Sequence, residues 1–172
     1  MPYRNKTYVA FDSEDIRFYR IMQAWRANEK IDFDFFNAHE LNTARDTSEP
    51  ATIRRRLRER LNNTKQVVAL VSETSGAKSE RSASFLYYEI ETIVTLGLPV
   101  VFANLNGARS VQTAKLPRAL LEQYTVSVSF QSKIIKHALD NYVDDFAKNL
   151  TSRTPKKGPC VYGESTYKDL DL

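Results

Sequence analysis

The sequence predicts an α/β domain around a five-strand parallel sheet, and three observations carry that expectation. Five apolar runs alternate with segments of helical period, the pattern a parallel sheet requires because each crossover must travel back along it. Three of those runs are apolar throughout and two alternate, which separates strands covered on both faces from edge strands. The chain has 172 residues, enough for one domain with a full core and too few for two ordinary ones.

The first strand falls at residues 7–12, TYVAFD. Behind it Phe18, Ile21, Met22 and Trp25 recur at spacings of three and four, giving an amphipathic helix over about 14–28 with Asp12 or Ser13 as its cap. A second strand is expected at 31–36, IDFDFF, followed by a polar loop over 37–49. Ser48 and Pro50 mark a helix start, since proline is tolerated in the first turn where its missing N–H is not needed. That helix runs to about residue 63. The run QVVALVS at 66–72 is the third strand, 73–81 a polar loop, and 82–97 a helix stopped by Gly97. Strand four is expected at 98–104, a short helix at 118–123, strand five at 125–130 and a last amphipathic helix at 133–149.

Strand two alternates Ile31, Asp32, Phe33, Asp34, Phe35, and strand five alternates Val126, Ser127, Val128, Ser129, Phe130, so both are assigned to edges. The order that results is 2-1-3-4-5, a flavodoxin-like three-layer sandwich. In such a sheet ligands bind outside the carboxyl ends where the chain reverses direction, between strands one and three. The loops beginning at Asp12 and Glu73 therefore carry the expected crevice. The domain is expected over 1–150. Beyond it, 151–172 reads as linker and tail: TPKKGP breaks helices, Tyr162 and Tyr167 either dock on the domain or a partner or, as the commoner state, lie in a fraying tail, and the residues after Pro155 are expected to be dispensable for folding.

Composition narrows the function classes. A hydrophobic fraction of 42% with 27% charged residues is that of a globular protein. The net charge of +4 comes from 25 basic and 21 acidic residues and implies no nucleic-acid partner. Arg54, Arg55, Arg56, Arg58 and Arg60 resemble a basic stripe, yet Ile53, Leu57 and Leu61 among them describe a helix whose other faces are solvated. The single cysteine, Cys160, allows neither an internal disulfide nor a cysteine-based zinc site, and no metal is expected. No secretion signal and no run of 18 apolar residues is visible, so a cytoplasmic protein without membrane attachment is expected.

Three nucleotide or phosphate chemistries fail on their motifs. The turn after strand one reads FDSEDIRF, with no glycine for a dinucleotide fingerprint, and no glycine-rich run ends in Gly-Lys-Ser or Gly-Lys-Thr. A phosphorelay receiver needs an aspartate at the end of strand three, where Ser72, Glu73 and Thr74 stand. What remains at the switch point is acidic and aromatic: Phe11 and Asp12 from strand one, and Glu89 from SASFLYYEIETIV. In that helix Phe85, Leu86, Ile90, Ile93 and Val94 form the apolar face, Glu89 lies beside it, and Tyr87 and Tyr88 flank Glu89. Position alone would leave Glu89 an ordinary solvated carboxylate. Tyr88, and His39 in the second loop, are candidate substrate contacts; a loop histidine is more often incidental.

The run RIMQAWRANEKIDFDFF after YVAFDSED resembles the opening of the TIR-like family that includes the Thoeris antiphage-defence protein ThsB. Similar spacing continues through TIRRRLRERLNNTKQVVALVSETS and SFLYYEIETIVTLGLPVVF. The likeness covers roughly residues 8–102, with Phe85 standing where tryptophan is common. It implies that Glu89 matches the glutamate with which active TIR domains cleave NAD, and that Phe11 and Asp12 match the loop bordering the nicotinamide riboside. NAD is then a substrate, no cofactor is needed, and the product is a cyclic ADP-ribose-type signal nucleotide read by a separate effector. Self-association is also implied. The chemistry is intelligible from the residues: breaking the nicotinamide–ribose bond develops an oxocarbenium-like cation that one carboxylate can stabilise, because nicotinamide leaves neutral and needs no general acid. The competing expectation is a non-catalytic TIR-like interaction module.

Overall fold

The structure, a computed structural model, describes residues 6–35 and 49–172. Its strands are β1 (Thr7–Ala10), β2 (Gln66–Val71), β3 (Val100–Asn104), β4 (Thr125–Ser129) and β5 (Pro159–Val161). Its α-helices are α1 (Ile16–Ala27), α2 (Pro50–Leu61), α3 (Ser75–Ser79), α4 (Phe85–Leu96), α5 (Ser132–Asn149) and α6 (Glu164–Asp169). All four strand pairings are parallel and the sheet order is β1-β2-β3-β4-β5. The fold is the expected α/β class, consistent with a flavodoxin-like TIR architecture.

Strand parity distributes the apolar runs between two layers. From QVVALV, Val68 and Leu70 join Val9, Val101, Ala103, Val126 and Val128 against Tyr19 and Met22 of α1 and Ile134, Ile135, Ala138 and Tyr142 of α5. Val67, Ala69 and Val71 join Tyr8, Ala10, Val100 and Phe102 against Leu86, Ile90 and Ile93 of α4 and Leu61 of α2. The second layer is thus the one toward which Tyr8 is turned. Gly97 closes α4 at φ 61°, a left-handed conformation that lets its N–H bond the Val94 carbonyl and release the chain into β3.

The strand arrangement differs from expectation in two places. Residues 31–35 form no ladder: Phe33 N–H donates to the Ile31 carbonyl at 2.9 Å and Phe35 N–H to Asp34 Oδ1 at 2.8 Å, so the groups a neighbouring strand would need are used locally. Phe33 and Phe35 are nevertheless buried, under Trp25 and Tyr19. Residue 36, the end of the expected strand, lies outside the described residues.

The second difference is the tail. Beyond β4 the sheet continues with β5, pairing Thr125 with Pro159, Val126 with Cys160 and Ser127 with Val161. That is why the alternating strand at 125–130 is not an edge and why Thr125, Ser127 and Ser129 are all buried. Tyr167 of α6 is fully buried and its hydroxyl accepts the Ser129 N–H at 3.2 Å. Arg109 lies 4.2 Å over the Tyr167 ring and pairs with Glu164 at 2.7 Å. The expectation of a fraying tail is corrected: the TPKKGP stretch is a bridge to the last strand, held by reciprocal bonds between Asn149 and the Lys156 backbone.

Candidate functional site

The carboxyl end of β1 opens onto a cavity of about 550 Å³ lined by Phe11, Asp12, Ser13, Ile16, Lys78, Arg81, Ala83, Ser84, Phe85 and Leu86. A volume of that size suits a small-molecule ligand. Phe11 is fixed by stacking on Tyr19, ring centroids 4.7 Å apart and planes at 19°. Asp12 is buried, and its carboxylate receives Lys78 Nζ at 2.7 Å, with Glu14 3.1 Å from the same ammonium. Lys78 is aimed there by α3. Ser75 Oγ accepts the Ser72 N–H and donates to the Lys115 carbonyl, both at 3.1 Å, and Gly76 sits so close to Lys115 that a Cβ would come within 2.9 Å of its backbone. The short helix is therefore clamped against the turn at 113–115.

The opposite wall is the start of α4. A turn closed by Ser84 N–H on the Arg81 carbonyl, at 2.8 Å, delivers Ser84 as the residue preceding the helix, and its hydroxyl makes no capping bond. The first-turn N–H groups of a helix favour anions nearby. Arg81, which makes no ion pair among the described residues, and Lys78 bring positive charge to the same wall.

Glu89 lies three and four residues beyond Leu86 and Phe85, on the same face of α4. It is fully buried, directly behind the cavity wall rather than in its lining. Tyr8 Oη donates to Glu89 Oε1 at 2.5 Å. Burial raises its pKa to about 8, against the lowering effects of the Tyr8 hydrogen bond, the Arg60 charge and the Phe11 backbone; the Asp12 charge raises it further.

Of the sequence-derived candidates, Phe11 and Asp12 line the cavity and Glu89 backs it. Tyr88 does not line it. Its ring packs with Ile53 and Leu57 of α2 and lies 5.3 Å from the Arg54 guanidinium, because one residue's step along α4 turns it about 100° away from Glu89. His39 lies outside the described residues. Sequence reading missed Lys78, Arg81 and Ser84; their segment read as a polar loop and helix start, and only the folding of α3 against 113–115 brings Lys78 to Asp12.

A second, smaller cavity of about 330 Å³ lies on the other side of the 13–15 turn, where Asp15, Arg17 and Phe18 meet Ser72, Glu73, Thr74, Leu105, Asn106 and Lys115. Burial raises the pKa of Asp15, opposed by the Ser72 hydroxyl. Among the described residues no group of three or more His, Cys, Asp or Glu is placed to hold a metal ion, and no helix is long and apolar enough to cross a membrane.

A parallel α/β sheet with an acidic, aromatic cavity at the carboxyl end of its first strand and a glutamate on the neighbouring helix defines a TIR-like domain. The family model described as "Thoeris protein ThsB, TIR-like domain" matches residues 8–110, more than half of the chain, and the chain belongs to that family. The match runs from the second residue of β1 through β3 and includes every described residue lining the larger cavity. No curated protein matches the chain significantly.

Proposed function

We propose that this chain is an NAD-cleaving enzyme of antiphage defence that releases nicotinamide and forms a cyclic ADP-ribose-type nucleotide, the signal for a separate effector protein. The observation that carries this reading is the placement of Glu89: a buried carboxyl bonded to Tyr8 of β1, behind a cavity that Phe11 and Asp12 line. In this reading the nicotinamide riboside sits against Phe11 and Asp12, and the diphosphate lies at the start of α4 beside Arg81. Glu89 is the catalytic residue, its carboxylate stabilising the ribosyl cation as the neutral base departs. The substrate's own cationic nicotinamide favours ionisation of Glu89, offsetting the burial that otherwise keeps it protonated. Exclusion of water then lets another nucleophile of the same nucleotide capture the cation.

A second reading, a non-catalytic TIR-like interaction module, is favoured by the full burial of Glu89. The discriminating experiment measures NAD loss and analyses the products by mass spectrometry, with the purified full chain both dilute and under self-association. Nicotinamide release with a cyclic product, abolished in Glu89→Gln, supports the enzyme. NAD left intact under both conditions supports the module.

A further inference from the structure

Tyr8 is absent from every expectation drawn from the sequence, where it is one apolar residue in TYVAFD. In the fold it is the second residue of β1, and strand parity turns it into the layer shared with α4 while Val9 faces α1 and α5. Both Tyr8 and Glu89 are wholly buried, and the phenol reaches the carboxyl at 2.5 Å across a separation of 81 residues. A phenol at this place in the sheet is otherwise a poor occupant, because a buried hydroxyl without a partner is penalised.

We propose that Tyr8 is the positioning residue of Glu89, fixing the orientation of its carboxyl from the sheet and stabilising its ionised form for the cleavage chemistry. The catalytic part of this inference rests on the NAD-cleaving reading; the positioning of the carboxyl does not. A helix glutamate has three side-chain torsions, and a bond from a strand to Oε1 fixes the orientation of its carboxyl. A charge-assisted hydrogen bond favours carboxylate over carboxylic acid. The groups acting on the pair are Arg60 from α2, which favours the Glu89 anion, Asp12 from the loop after β1, which opposes it, and Tyr19 from α1, which acts on Tyr8. The coupling is mutual: burial and then the Glu89 charge hold the Tyr8 phenol well above its ordinary pKa, so it stays a donor throughout the working range.

The test compares wild type with Tyr8→Phe by two readouts: a carbon-13 titration of the Glu89 carboxyl, and the pH profile of kcat/KM for NAD. In Tyr8→Phe the Glu89 titration should move to higher pH. Activity at pH 7 should fall roughly 10-fold or more, the factor that one hydrogen bond to a charged group represents, with the deficit closing at alkaline pH. A merely structural role would lower the profile equally at every pH. In wild type the Tyr8 Cζ resonance should follow Glu89 with the same midpoint, a measurement that needs no folded variant. An unmoved Glu89 titration in a folded Tyr8→Phe, or a Tyr8 Cζ signal indifferent to Glu89, overturns the proposal. If the titrations behave as expected while neither protein cleaves NAD, positioning stands and the enzymatic reading fails. If the titration moves but the activity profile of an active variant does not, the catalytic role of Tyr8 is overturned.

Discussion

The phenol of Tyr167 accepts the backbone N–H of Ser129, joining α6 to the last residue of β4 from 38 positions away. Lys133 at the start of α5 donates to the Leu170 carbonyl at 2.8 Å, so the segment is tied from two sides. Deleting residues 156–172 should therefore lower the melting temperature sharply and expose the β4 edge. Tyr167→Phe should cost about 1 kcal/mol for the hydrogen bond, and Tyr167→Ala roughly 3–5 kcal/mol for the lost buried ring. Denaturant unfolding of the three proteins checks the ranking; an unchanged melting temperature on deletion would refute it.

Glu89 gives stability a pH dependence of defined sign. Its folded-state pKa of about 8 exceeds the ordinary 4.5, so the native state binds the proton more tightly than the unfolded chain. The contribution is fully present below about pH 4.5 and is lost as pH rises through 8. Glu89→Gln cannot ionise, and should gain on wild type by an amount on the order of a few kcal/mol between pH 5 and pH 9. Melting curves across that window that run parallel for the two proteins would show that the carboxyl is not held protonated.

On the proposed NAD-cleaving reading, kcat/KM for NAD in the wild type should rise with pH toward an inflection near 8, the value for the free protein. Glu89→Gln should lower turnover on the order of 100-fold to 1000-fold. Glu91→Gln is the control: its carboxylate is partly exposed and bonds Arg54 at 2.7 and 3.2 Å on another side of α4. Loss of that pair should change stability little and leave turnover near wild type. Equal turnover by wild type and Glu89→Gln would send the search for the carboxylate to Asp12.

The ion pair of Lys78 with Asp12 is screened from water on the aspartate side, where only 5% of the side chain is exposed. Lys78→Met leaves a buried carboxylate without its cation and should destabilise the fold by roughly 3 kcal/mol, whereas removal of the exposed partner Glu14 as Glu14→Gln should change little. Urea unfolding distinguishes these outcomes, and equal effects of the two substitutions would show that Asp12 is not dependent on Lys78.

The class of the fold was legible because apolar runs and helical periods are local properties, and the runs containing Val9, Val68, Val101 and Val126 became β1 to β4 in the expected sequence. The two edges were not. The alternation of Ile31 to Phe35 reads as a strand, yet its N–H groups are spent on local turns, while β5 has only three residues, Pro159, Cys160 and Val161, too few to show a period. At the site, Phe11 and Asp12 were visible from the end of an apolar run. Tyr8, Lys78 and Arg81 were not, because what matters about each is a neighbour 81, 66 or a whole helix away.

The register of the sheet also sets an order of assembly. β2 to β3 and β3 to β4 join residues 33 and 25 positions apart, as Val67 with Val100 and Val101 with Val126, while β1 reaches β2 across 59, as Thr7 with Gln66. Closing the longer loop carries an entropy penalty higher by roughly 0.6 kcal/mol for each doubling of length. The central hairpinless core can thus condense before β1 docks. Since β1 supplies Tyr8 and leads directly into Phe11 and Asp12, docking of β1 would be the step that completes the cavity. A partly folded population retaining β2, β3 and β4 would be compact yet lack both the Tyr8–Glu89 bond and the cavity wall that Phe11 and Asp12 form.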